Sequence, residues 1–537
     1  MMSEQTHQTD YDVLVVGAGF SGLYAVYRFR EAGLTVQGFE RAEDVGGVWH
    51  WNRYPGAKCD SESIYYNFTF SEDIYRKWTW SSRFASQKEI LCYLHFVAEE
   101  LDLKKHFQFQ REVVSAFYDD ENELWKVHFS DDVTVTAKYF IAATGCLSKA
   151  NVPPISGIDQ FEGEWYHTGD WPVDEVDFKD QDVAVIGTGS SGVQAIPVIA
   201  KEAKSLTVFQ RTPQYAVPAN NYVYEHDYID SVKKDRSSIR ELMYSTRLGM
   251  PTDRREVSAL DETKEQREII YEHAWNKGGF VFPTAYNDLL ISEESNATAA
   301  NFIRNKIRST VQNEDVAEQL CPEYYYAAKR PIFDSGYYET FNQPNVSLVD
   351  VKQEPIEVLT KTGIQTTKTL YDFDKIVFAT GYDGITGSLF KMNIHGRSGQ
   401  SLQEHWQNGE TVQTYLGVAT DDFPNFFMIT GPQSPSVLMN MPVAIEQHVD
   451  FITDLIMNAR EKGSTNVEVV QAAVSNWSNE CKTIADYTLY VKTDSWYTGT
   501  NIENRTSRFP IFVAGFPIFK QICDQVIQND FEGFVMS

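Results

Sequence analysis

Two glycine-rich turns carry the clearest chemistry in this chain of 537 residues. The first is Gly17-Ala18-Gly19-Phe20-Ser21-Gly22 and the second is Gly187-Thr188-Gly189-Ser190-Ser191-Gly192. In each, the first glycine permits a tight turn. The second lets backbone approach a pyrophosphate, and the third lets a helix pack on a strand. The helix that follows turns free amides toward the anion. The residues closing the next strand differ. After the first turn stands Glu40, whose carboxylate can accept hydrogen bonds from ribose hydroxyls and disfavours a 2′-phosphate. After the second stand Arg211 and Thr212. A guanidinium grips a 2′-phosphate through paired bonds, and a threonine adds a hydroxyl. The two halves therefore predict two dinucleotides, FAD first and NADPH second.

Other groups are chemically suggestive but locally ambiguous. Asp60 closes Tyr54-Pro55-Gly56-Ala57-Lys58-Cys59-Asp60. A carboxylate among aromatics needs a partner, yet a turn-capping aspartate explains it equally well. Cys59 reads as a packed thiol. Flavin-linked disulfide reductases of this architecture need a cysteine pair, and the six cysteines contain no Cys-x-x-Cys. Arg330 precedes Pro331, which holds it in extended backbone. His167 has no acid or nucleophile pattern around it, so a hinge role suits it better than base chemistry. In Asp44-Val45-Gly46-Gly47-Val48-Trp49 the glycine pair lets backbone pass close to a flavin, and Trp49 reads as core or pocket wall. Trp496 is either a surface anchor or part of a mobile lid over a nicotinamide.

To position these groups the chain must build two nucleotide-binding units. Asp12 to Val16 and Thr35 to Phe39 read as buried strands around a helix that stops at Gly33. Short alternating strands from Val113 to Ala143 follow, closing in Thr144-Gly145. The second unit repeats the plan: strand Asp182 to Ile186, a helix to about Lys201, and strand Ser205 to Phe209. A meander from Val346 to Lys375 closes in Ala379-Thr380-Gly381, mirroring Ala143-Thr144-Gly145. Between the units, Phe161 to Pro172 reads as an ordered linker. The stretch from about Asn221 to Tyr326 is rich in charge at helical spacing, clearest at Asp261 to Trp275 and Ala299 to Val311. The expected fold is α/β, with two Rossmann-like dinucleotide-binding domains and a helical insertion in the NADP domain. The expected divisions are 1–148 with 385–537 for FAD, 149–220 with 331–384 for NADP, and 221–330 for the insertion.

A net charge of −28 argues against nucleic acid and anionic membrane surfaces. No apolar run is long enough to span a bilayer. Met1 to Asp10 shows no export pattern, so reduced thiols and a cytoplasmic location are expected. No metal site is expected, and the chain is read as a monomer or weak homo-oligomer.

The segment Phe161-Glu162-Gly163-Glu164-Trp165-Tyr166-His167-Thr168-Gly169-Asp170-Trp171-Pro172 spells Phe-x-Gly-x-x-x-His-x-x-x-Trp-Pro. With the two fingerprints, Asn52-Arg53-Tyr54-Pro55-Gly56, Lys329-Arg330 and Ala379-Thr380-Gly381-Tyr382-Asp383, it resembles the type I Baeyer–Villiger monooxygenases. The likeness covers nearly the whole chain and is nearest to the phenylacetone monooxygenase branch, with cyclohexanone monooxygenases more distant. The resemblance implies that FAD, NADPH and dioxygen convert an aryl or cyclic ketone to an ester or lactone, with sulfoxidation alongside. It implies a C4a-peroxyflavin kept anionic by Arg330, with Asp60 orienting that arginine. It assigns flavin contacts to Gly47, Val48, Trp49, Asp60 and Tyr66, and the 2′-phosphate to Arg211, Thr212 and Lys329. It makes Trp496 the lid tryptophan and lines the ketone pocket with Ser436, Val437, Leu438 and Met439. One rival is a multifunctional flavin monooxygenase oxidising amines or sulfides, whose linker lacks the Trp-Pro ending. The other is a flavin-binding sensor without turnover, which leaves Arg330 and Asp60 without a task.

Overall fold

The computed structural model describes residues 9–502 and 505–537. Val13, Leu14 and Val15 are fully buried, which suits a strand covered on both faces. That strand, Tyr11–Val16, lies inside a mixed sheet. From one edge the order is Ile394–His395, Val113–Asp119, Leu124–Phe129, Thr134–Ala142, Tyr11–Val16, Val36–Phe39 and Phe107–Gln108. Phe426–Met428 also pairs with Thr134–Ala142, in parallel. Two strands from the C-terminal third thus complete the sheet that the first glycine turn begins. Val15 stands opposite both Gly38 and Ile141, so the first turn emerges at the shared C-terminal ends of parallel strands. Such ends are where α/β sheets bind ligands.

The second sheet is wholly parallel, in the order Val346–Asp350, Ser205–Gln210, Asp182–Ile186, Lys375–Phe378, Glu164–His167. Two expectations change here. The segment from Phe161 to Pro172 is more than a linker, because Glu164–His167 is an edge strand with His167 opposite Phe378. Val346–Asp350 leaves the meander and pairs with Ser205–Gln210 instead. The meander itself is Ile356–Leu359, Gly363–Thr366 and Leu370–Asp372. Local alternation marks a strand but cannot name its partner.

Helices follow their caps. Phe20–Glu31 and Ser190–Ile199 begin on the second glycine of each fingerprint. Lys264–Lys277 starts at a capping box between Thr263 and Gln266, and Glu293–Thr310 starts at Ser292. The charged stretch 221–330 divides between two cores. Tyr224, Ile229 and Val232 join the core of the first sheet and its helices. Ala259 through Tyr326 joins that of the second. Among the described residues no helix is long and apolar enough to cross a membrane.

Candidate active site

The first glycine turn is sterically determined. Gly17 has φ +111°, and a Cβ there would meet the Ala143 carbonyl oxygen at 2.5 Å. A Cβ on Gly22 would lie 1.8 Å from the Gly17 oxygen. Gly47, at φ +54°, approaches Gly19 so closely that its Cβ would stand 2.8 Å from the Gly19 Cα. Two bare stretches of backbone therefore face each other, as a pyrophosphate cradle needs. Glu40 is buried, and its two oxygens accept from the amides of Ala18 and Ala42, each at 2.8 Å. Each oxygen keeps lone-pair capacity for a ribose hydroxyl. Burial pushes its pKa up despite those bonds. Trp49 is buried and donates its indole N–H to the Tyr66 hydroxyl at 3.2 Å, so these two flavin-side candidates meet. Val48 opens the short helix behind them.

The loop from Asn52 to Asp60 ties the two nucleotide units together. Asn52 donates to the Tyr382 hydroxyl at 2.6 Å, and Tyr54 donates to the Gln194 side chain at 2.8 Å. Asp60 then reaches Arg330. Nε meets Oδ2 and Nη2 meets Oδ1, both at 2.7 Å, which is a bidentate pair. The third branch, Nη1, donates to the Val437 carbonyl. Burial works against the charge of Arg330, but the Asp60 carboxylate outweighs it and raises the pKa above its ordinary value. Beside them Cys59 is buried, and desolvation raises its thiol far from the reactive range.

Of the four pocket candidates, three stay together. Val437 and Leu438 pack with Ile385, Tyr497, Ile511, Cys146 and Trp496. Ser436 stands between loop and cluster at φ +41°. Met439 turns away and packs with Met243, Val443, Ala444 and Phe516. Ser436–Leu438 is a single 3₁₀ turn, and Met439 leaves it in extended backbone at φ −138° and ψ 174°, which carries its side chain to the other cluster.

In the second unit Gly187 has φ +109°, and a Cβ on Gly192 would stand 2.3 Å from its oxygen. A Cβ on Gly189 meets nothing within 4 Å, leaving that turn open to a phosphate. Ser190 is exposed at the helix start, and Thr188 donates to the Thr212 carbonyl at 3.0 Å. Arg211 is exposed, and its charge acts on Lys329. The Lys329 ammonium lies over the Tyr324 ring, 4.4 Å from its centroid. Burial, then Arg211, brings its pKa down to about 8. Among the described residues neither cation is in an ion pair, and only the more distant charge of Asp494 offsets Lys329, so the two could hold a phosphate.

Trp496 packs over Gly384, where a Cβ would meet its ring at 3.0 Å. Its stretch looks flexible by composition but is well anchored. Asn501 donates to the Tyr382 carbonyl at 2.7 Å, and Arg505 pairs with Asp383 at 2.6 Å. His167 is buried, with Nδ1 accepting from the Gly169 amide and Nε2 meeting the Thr380 hydroxyl. Burial lowers its pKa to about 4. It is a neutral strut between the edge strand and Thr380. The sequence reading missed Gln194, Tyr497 and the Val437 carbonyl, because each matters only through a neighbour distant in sequence.

The sequence pattern described as "Flavin-binding monooxygenase-like" matches residues 10–235. The chain is 40% identical over 544 residues to a Baeyer-Villiger monooxygenase of Pseudooceanicola batsensis, covering 99% of this chain and 98% of the relative. The chain belongs to the Baeyer–Villiger monooxygenase family. The chain is also 39% identical to phenazine N-monooxygenase PhzNO1 of Lysobacter antibioticus, covering 98% of this chain and 97% of that relative. Among solved structures, an oxidized steroid monooxygenase bound to NADP superposes with a TM-score of 0.93 at 44% identity, covering 98% of this chain and 99% of that one. OTEMO in complex with FAD and NADP superposes at 0.95 and 37%, covering 99% and 100%. This Baeyer–Villiger fold is thus the two-dinucleotide flavoprotein architecture expected from the paired fingerprints.

Proposed function

We propose that this Baeyer–Villiger monooxygenase uses FAD, NADPH and dioxygen to convert aryl or cyclic ketones to esters or lactones at Arg330. The observation that carries the reading is the bidentate ion pair of Asp60 and Arg330 beside an apolar cluster. The cradle formed by Gly17, Gly19, Gly22 and Gly47 fits a flavin dinucleotide, with Glu40 for its ribose. Gly187, Gly189 and Gly192 with Arg211, Thr212 and Lys329 fit a phosphorylated nicotinamide dinucleotide. When bound, the two cofactors supply the hydride and the activated oxygen.

The chain's own task is electrostatic. Asp60 removes the rotational freedom of Arg330 and fixes its plane, so the charge costs no reorganisation when anionic oxygen develops nearby. Val437 pins the third branch to the pocket loop. Ile385, Leu438 and Trp496 exclude water, which strengthens the field of the guanidinium. The expected location is cytoplasmic.

Product analysis with NADPH, oxygen and a ketone panel tests this. Esters or lactones are expected, and they should vanish in Arg330→Ala. A second reading is oxidation of amines or sulfides, favoured by the 39% identity to a phenazine N-monooxygenase. An aromatic amine offered under the same conditions would give an N-oxide and no ester if that reading holds.

A further inference from the structure

Two hydroxyl oxygens near Arg330 find no hydrogen-bond partner among the described residues: those of Tyr497 and Ser436. Both side chains are buried, Tyr497 at 1% exposure and Ser436 at 4%. Buried hydroxyls are usually paired, and one left unpaired beside a charged site has capacity for a group supplied from outside. The Ser436 hydroxyl lies against the Cys146 thiol, which can take its bond. Tyr497 packs in the cluster of Val437, whose carbonyl holds Arg330. The guanidinium can only donate toward the phenol oxygen, so the Tyr497 O–H itself is left without an acceptor. Its ring is fixed by Trp496, 4.5 Å away between centroids, and by Tyr490 and Phe509. Desolvation raises its pKa, so the phenol keeps its proton and is a donor. On Arg330, three of the five N–H groups hold bonds to Asp60 or Val437, and two remain to donate.

We propose that Tyr497 donates a hydrogen bond to the ketone oxygen and is, beside Arg330, a second donor to the charge that gathers there. This rests on the ketone reading of the site. As the new carbon–oxygen bond forms, the carbonyl oxygen takes the π pair and becomes anionic. The phenol proton stays on Tyr497, and its hydrogen bond shortens. The O–H proton then finds an acceptor only while substrate is bound.

Tyr497→Phe removes the oxygen and keeps the ring. In the FAD-loaded variant, kcat for ester formation should fall roughly 10- to 100-fold with KM little changed. A trifluoromethyl ketone, whose hydrate presents a tetrahedral oxygen, should bind about ten-fold more weakly by calorimetry, on the same constants. FAD content and NADP⁺ affinity should match the parent. Unchanged kcat and unchanged affinity for the trifluoromethyl ketone would overturn the assignment. Weakened NADP⁺ binding would give the hydroxyl to the nicotinamide and overturn it equally. Arg330→Ala separates the two levels. Ester formation surviving in Arg330→Ala defeats the ketone reading of the site. Loss there with a normal Tyr497→Phe defeats only the present assignment.

Discussion

Asp60 holds Arg330 through two parallel bonds of 2.7 Å, joining a loop of the first nucleotide unit to the end of the charged stretch far along the chain. The pair is only partly screened, with side-chain exposures of 29% and 19%. Removing one partner leaves the other charge poorly compensated, which costs more than the pair itself contributes.

Arg330→Ala should therefore retain FAD and let NADPH bleach the flavin under nitrogen, yet yield no ester. Asp60→Ala should lower ester formation by roughly 10- to 1000-fold, since it frees a donor that must be pre-oriented. Stopped-flow absorbance with gas-chromatographic product analysis measures both. Normal ester yield from Arg330→Ala would remove this residue from the chemistry.

Lys329 sets a pH dependence. Its pKa is lowered to about 8, so its charge is present below that value and lost above it. A bound 2′-phosphate favours the charged form and moves the transition upward. The preference for NADPH over NADH should fall as pH rises from 7 to 9.5. Lys329→Arg, which stays charged, should flatten the profile. Arg211→Ala should lower the preference at every pH. The ratio of KM values for the two coenzymes reads this out, and a flat parental profile would contradict it.

The glycines should separate the cofactors. A Cβ on Gly22 meets backbone at 1.8 Å, and one on Gly192 meets backbone at 2.3 Å. Gly22→Ala should lose bound FAD, visible as loss of yellow colour on purification. Gly192→Ala should keep the flavin and bind NADP⁺ at least ten-fold more weakly, the scale of a displaced phosphate contact. The reverse pattern would exchange the two sites.

Glu446 should make stability fall as pH rises. It is buried on the helix Met441–Glu461 and accepts bonds from the Thr69 amide and hydroxyl and from Tyr244. Burial raises its pKa from 4.5 to about 7. The folded chain thus keeps a proton that the unfolded chain gives up above 4.5. The stabilisation is complete below 4.5 and is lost progressively until about 7. The effect is on the order of 3 kcal/mol. Glu446→Gln should shrink the drop in Tm between pH 5 and pH 8. Parallel Tm profiles for parent and variant would refute this.

The sequence by itself determined the two nucleotide units, because each is a local pattern. A glycine at φ +111°, a helix starting at the second glycine and an acid or arginine closing the next strand all lie within a few dozen residues. Hydrophobic periodicity likewise located Lys264–Lys277 and Glu293–Thr310, with shifted ends, but not Gln87–Glu100, Gln471–Asp486 or Phe516–Gln528. Only the tertiary structure decided who meets whom. It brought Asp60 to Arg330, tied Val437 to the same guanidinium and turned Tyr497 toward it. It also made a third of the Phe161–Pro172 segment an edge strand and sent Met439 to another cluster. These outcomes depend on contacts between residues far apart in sequence, where packing rather than local propensity selects the partner.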